Sequence, residues 1–118
     1  MANNIAFQPM GKTYQIATTA ANTVVQVAVT ADSPSNQYLV VSHEKTNGTG
    51  HPIYVRISSS ATDNAALPTN TGAYSIAIPP GQMRVFTGPQ CSNTKTVYVT
   101  AIAETDSPEV YVTPGEGL

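Results

Sequence analysis

Charge is what this sequence has least of. Only 10% of its 118 residues are Asp, Glu, Lys or Arg, against roughly 25% in an average soluble protein. The net charge is −2, and the five bases, Lys12, Lys45, Arg56, Arg84 and Lys95, are scattered along the chain. Binding to a phosphate backbone depends on clustered positive charge that releases counterions, so the pattern argues against nucleic acid as a partner. A basic membrane-binding face is excluded on the same ground. Cysteine is nearly absent: Cys91 stands alone, and no internal disulfide can form. Tryptophan is missing altogether, which removes the most effective aromatic platform for a ligand ring. No apolar run approaches the roughly 20 residues of a membrane-spanning helix. The stretch Met1 to Phe7 has neither the cationic start nor the apolar run of a secretory signal, which predicts synthesis in a cytoplasm. Apolar residues nowhere recur at three- and four-residue spacing over ten residues or more, so no amphipathic helix is expected.

What remains is a β signature. Nine Pro and eight Gly interrupt the chain at short intervals, and the segments between them are rich in Val, Ile, Tyr and Thr, the residues suited to pleated surfaces. Strands are predicted over 12–17, 23–30, 37–43, 53–58, 74–78, 82–87, 96–103 and 109–113. Period-two alternation is clearest in Ile53, Val55 and Ile57 against Tyr54, Arg56 and Ser58, and in Val97, Val99 and Ala101 against Tyr98, Thr100 and Ile102. About eight such strands fit an all-β antiparallel sandwich of Greek-key or jelly-roll type. Turns are expected at Asp32 to Asn36, at Asn47-Gly48-Thr49-Gly50 and at Pro79-Pro80-Gly81, the last a tight corner between neighbouring strands.

Residues 12–118 are thus read as one sandwich domain and residues 1–11 as an amino-terminal arm. Ile5, Phe7 and Met10 of the arm are apolar without alternation, which suits a segment that docks on a neighbour, although Phe7 could equally cap its own core. The stretch from Ser59 to Gly72 lacks a convincing strand, at about the length where loops tend to be functional or mobile, and is the first candidate for a contact loop. With so few charges the surface lacks the self-repulsion that separates small monomers, which favours lasting association.

No constellation of catalytic residues is evident, and no cofactor is implied. There is no Gly-x-Ser-x-Gly elbow, and Cys91 reads as part of a polar loop, Pro89 to Asn93, with no cationic neighbour before Lys95 to lower its pKa. His43 and His51 flank the turn of what reads as a hairpin, with Glu44 as a third candidate ligand, but a metal site needs three or four ligands held together and solvated histidines are the ordinary explanation. Glu104, Asp106 and Glu109 read as a solvated acidic turn before the last strand. The six Tyr residues lie mostly on strands, where a buried ring with a wet hydroxyl or a cross-strand pair serves stability; a sugar platform is the competing reading.

The segments Ile76-Ala77-Ile78-Pro79-Pro80-Gly81-Gln82-Met83-Arg84-Val85-Phe86, Val97-Tyr98-Val99-Thr100-Ala101-Ile102-Ala103 and Val110-Tyr111-Val112-Thr113-Pro114-Gly115-Glu116-Gly117 resemble small β-sandwich head proteins of tailed bacteriophages, as does Val55-Arg56-Ile57 before its Ser-rich loop. The resemblance covers about the last two thirds of the chain and none of the arm. It implies a non-enzymatic virion protein on the capsid exterior, of the decoration or cement type, that forms a homotrimer and binds the major capsid protein. It transfers no residue-level role. Two alternatives stay open: a carbohydrate-binding or host-attachment module whose partner is a host surface glycan, and a head-tail neck component.

Overall fold

A computed structural model describes residues 7–18, 22–44, 51–104 and 108–116. It contains nine strands and, among the described residues, no helix: β1 (Gln8–Pro9), β2 (Tyr14–Ala17), β3 (Val25–Val29), β4 (Ser35–Glu44), β5 (Ile53–Ser58), β6 (Ile76–Ile78), β7 (Met83–Cys91), β8 (Val97–Ile102) and β9 (Pro108–Glu116). All eight expected strands are present, and a ninth, β1, lies in the arm. The strands form two antiparallel sheets. One runs β1-β9-β4-β7, with β2 also paired to β9; the other runs β3-β8-β5-β6.

This order resolves the choice the sequence left open. β2 pairs with β9, β3 with β8, β4 with β7 and β5 with β6. The chain is in effect one long hairpin, its apex between β5 and β6, folded over into two sheets. The pairs β4–β9 and β5–β8 then join neighbouring limbs. Nested pairing of this kind is the jelly roll.

The core lies between the sheets. From one side come Ile16, Tyr38, Val40, Val110 and Val112, and from the other Val29, Ile53, Val55, Ile78, Val97, Val99 and Ala101, all essentially inaccessible to water. These are the inward positions of alternating strands, and full burial of each Val or Ile contributes roughly 1.5–3 kcal/mol. Tyr14 spans the gap at the β2–β3 side: its hydroxyl lies 3.3 Å from both the amide and the carbonyl of Thr30.

Two strands run further than their punctuation suggests. β7 continues through Gly88 and Pro89 to Cys91 because it is an edge strand, where a missing amide N–H costs no ladder bond. β9 continues through Pro114, whose carbonyl accepts the Met10 amide at 2.9 Å in the gap between β1 and β2. The N–H and C=O of one residue point to the same side of a strand, so the amide that proline lacks falls in that gap.

The Pro79-Pro80-Gly81 corner is present, with the Gln82 amide bonded to the Pro79 carbonyl and Gly81 at φ +72°. It joins β6 to β7, which belong to different sheets. The corner therefore carries the chain across the sandwich instead of linking paired neighbours. The supposed hairpin around residues 43–51 is likewise no hairpin, since β4 and β5 lie in opposite sheets.

Candidate functional site

The arm residues can be placed in part. Ile5 lies outside the described residues. Met10 is half-buried against its own core. Phe7 lies over Gly115, where a β-carbon would collide with its ring and with the Gln8 carbonyl. Glycine at 115 is what lets the arm lie flat against β9, in register with Gln8 opposite Glu116 and Pro9 opposite Gly115.

The outer face of the larger sheet departs from the usual alternation. β4 carries Tyr38, Val40 and Ser42 inward, all buried, yet two of its outward positions, Leu39 and Val41, are also apolar, between Gln37 and His43. Leu39 pairs with Val85, and Val41 with Met83 on one side and Tyr111 on the other. Three adjacent strands thus contribute five apolar side chains to a surface facing away from the core, with Met83 60% exposed. Among the described residues of this face the only carboxylate is Glu109. It is buried on β9 and accepts hydrogen bonds from Gln15 and, at 3.0 Å, from the Tyr111 hydroxyl. That bond raises the Tyr111 pKa above its ordinary value, the nearby negative charge acting in the same direction. The solvated acidic turn expected from the sequence is therefore corrected at Glu109: pairing of β2 with β9 brings Gln15 over it and closes it from water.

The long connection between β5 and β6 is bonded to its own sheet. The Ala65 amide donates to the Thr100 hydroxyl at 2.7 Å, Gln26 reaches the Ala61 carbonyl at 2.8 Å, and Ser58 bonds Asp63 at 2.7 Å. This cover explains why Thr100, an outward position of β8, is fully buried.

Where the loop returns toward β6 it presents Tyr74, a residue 78% exposed. The Arg56 guanidinium sits over this ring at 4.9 Å from its centre, and is itself 3.5 Å from the Asp63 carboxylate. Tyr74 and Arg56 border a hollow of about 250 Å³ at the open side of the sandwich, floored by Val55, Ile57 and Phe86 with Thr87 on its lining. The sequence placed Tyr74 in a strand; the strand begins two residues later, and the ring stands in the loop that leads into it.

The remaining candidates stay apart. His43 sits on β4 opposite Glu109, its ring 6.3 Å from that of Tyr111, while His51 precedes β5 in the other sheet. The Glu44 side chain and Asp106 lie outside the described residues. Among those described, no three His, Cys, Asp or Glu side chains gather as metal ligands would. Cys91 is not in a polar loop but is fully buried at the end of β7. It neighbours Tyr38, whose hydroxyl bonds the Pro89 carbonyl and whose pKa is pushed up by burial and by the Cys91 thiol. Among the described residues, no helix is long and apolar enough to cross a membrane.

No protein-family model matches the chain, and no curated protein matches it in sequence. Among solved structures, the P-domain of Penaeus vannamei nodavirus superposes with a TM-score of 0.52 at 11% identity, over 89% of this chain and 96% of that one. A family 6 carbohydrate-binding module superposes at a TM-score of 0.42 and 7% identity, over 97% of this chain and 95% of the module. A family GH115 4-O-methyl-α-glucuronidase reaches 0.45 at 8% identity, over 96% of this chain but 16% of the enzyme. At these identities the likeness is one of fold. The chain is an all-β sandwich of a kind that a nodavirus also uses.

Proposed function

We propose that the chain is a non-enzymatic structural protein of a virus particle, a decoration or cement protein that associates with copies of itself and seats on the outside of a phage head, against the major capsid protein. The observation that carries this reading is the outer face of the larger sheet. A solvated antiparallel sheet normally turns polar residues outward. Here Leu39, Val41, Met83, Val85 and Tyr111 form a continuous apolar surface. Its occupants are further copies of the chain packed around a three-fold axis: the face is almost free of charge, and its one described carboxylate is already bonded within the chain, so neighbouring copies meet there without repulsion. Jelly rolls recur among viral capsid domains, and the phage-like segments of the sequence agree. Three copies around an axis present three amino-terminal arms; Phe7 and Met10 pack on their own chain, and Ile5 is the arm residue proposed to engage neighbouring capsomers. Many such contacts add through symmetry.

Light scattering on the purified protein is expected to return three times the 12.4 kDa chain mass, and undecorated heads of the encoding phage are expected to retain the protein on sedimentation. Val41→Lys, which places a charge on the apolar face, should yield a folded monomer that heads do not retain. A wild-type monomer at every concentration, or heads that fail to bind it, would sink this reading; a ring larger than a trimer would replace it with a neck component.

A further inference from the structure

We propose that the hollow beside Tyr74 binds one ring of a neutral sugar, making the domain a glycan-binding surface in addition to a structural one. This site stands independently of the self-association described above.

A tyrosine left 78% exposed is a large apolar surface kept in water. Its position is nonetheless held. Arg56 lies over the ring at 4.9 Å. The Ser75 hydroxyl bonds the Ala66 carbonyl at 2.8 Å, and the Gly72 amide bonds the Thr69 carbonyl at 3.0 Å, with Gly72 at φ +98° setting the turn before the ring. A ring presented by several bonds is organised before any ligand arrives, which lowers the entropic cost of binding.

The chemistry of the hollow selects its occupant. Its floor of Val55, Ile57 and Phe86 and its Tyr74 wall suit an apolar face, while Thr87, Ser75 and Arg56 offer donors and acceptors. A pyranose has this division, with C–H bonds on one face and hydroxyls around its perimeter. Charge decides against an anion. Arg56 is already paired with Asp63 at 3.5 Å, so no uncompensated cation awaits a phosphate or carboxylate. The volume of about 250 Å³ falls below the roughly 300–1,000 Å³ of sites for drug-sized ligands. One sugar ring fits, with the rest of a glycan extending into solvent.

The test is a titration of the ¹⁵N-labelled full chain, followed by NMR, with neutral trisaccharides of glucose, galactose and mannose. At least one is expected to shift amides near residues 55–57, 74–76 and 86–88. Tyr74→Ala should weaken that binding by about tenfold or more, while Tyr74→Phe, which keeps the ring, should stay within about threefold of the parent. Thermal melting confirms that the exposed substitution leaves the fold intact, and light scattering of Tyr74→Ala should return the parent mass. No shift with any sugar up to about 50 mM, shifts confined to another face, or equal binding by Tyr74→Ala would overturn the proposal. So would protection of these amides by undecorated heads with no response to sugars, which would make the hollow a protein contact.

Discussion

Tyr38 shows how one side chain organises the centre of the sandwich. It is fully buried on β4 and bonds the Pro89 carbonyl of the neighbouring strand. It fits because residue 88 is glycine: a β-carbon there would stand 3.1 Å from the Tyr38 ring and 3.3 Å from the Ile57 side chain. Burial, then the neighbouring Cys91, raises its pKa above the usual 10.0. The unfolded chain ionises this phenol near its ordinary value, so the stabilisation is complete below about pH 10 and is lost as pH rises beyond it. Denaturant midpoints should therefore fall above about pH 10, and Tyr38→Phe should flatten that decline while costing about 1 kcal/mol at neutral pH. An unchanged alkaline slope in Tyr38→Phe would remove this residue as its source. Little of this was legible beforehand. Tyr38 could be placed on a strand, but its partners are 50 or more residues away, and Cys91 read as a loop residue because Gly88 and Pro89 precede it.

Among the elements, the arm and the edge strands carry the information that punctuation obscured. Gly and Pro end strands when every backbone group must find a ladder partner; at an edge or a gap that demand lapses, and β7 and β9 run on. The arm depends on the same tail. Gly115→Val should expel Phe7 and the short strand β1 from β9, because any side chain at 115 occupies the space of the Phe7 ring. Hydrogen exchange at the Gln8 and Met10 amides should rise toward that of an open segment, with the core amides of β4 and β8 unchanged. Continued protection at those residues would show that the arm is held by something other than this contact. The loop between β5 and β6 was expected as a contact loop on its length. Most of it is instead held to its own sheet through Thr100, Gln26 and Ser58, and only its return limb offers an exposed ring. Hydroxyl and amide side chains such as these show no period that would betray their distant partners.

For the whole molecule, low charge has a measurable consequence. Association through the apolar face should persist, or strengthen, as sodium chloride is raised from about 0.05 M to about 1 M, because screening removes little and apolar burial is not weakened by salt. A trimer that dissociates at the higher salt would place ion pairs at the interface and contradict the face assigned to it.

The sequence by itself determined the all-β class, the eight principal strands, the inward face of most of them and the absence of a helix among the described residues. Each follows from local chemistry, namely β-branched residues in alternation between Pro- and Gly-rich turns. Only the tertiary structure decided that the strands nest as a jelly roll, that β4 and β5 part into opposite sheets, and that Leu39, Val41, Met83, Val85 and Tyr111 share a face. It alone set Tyr74 and Arg56 beside a hollow bordered by Phe86 and Thr87. Those facts join residues tens of positions apart, and a strand's own pattern records which face turns inward but not which strand lies beside it.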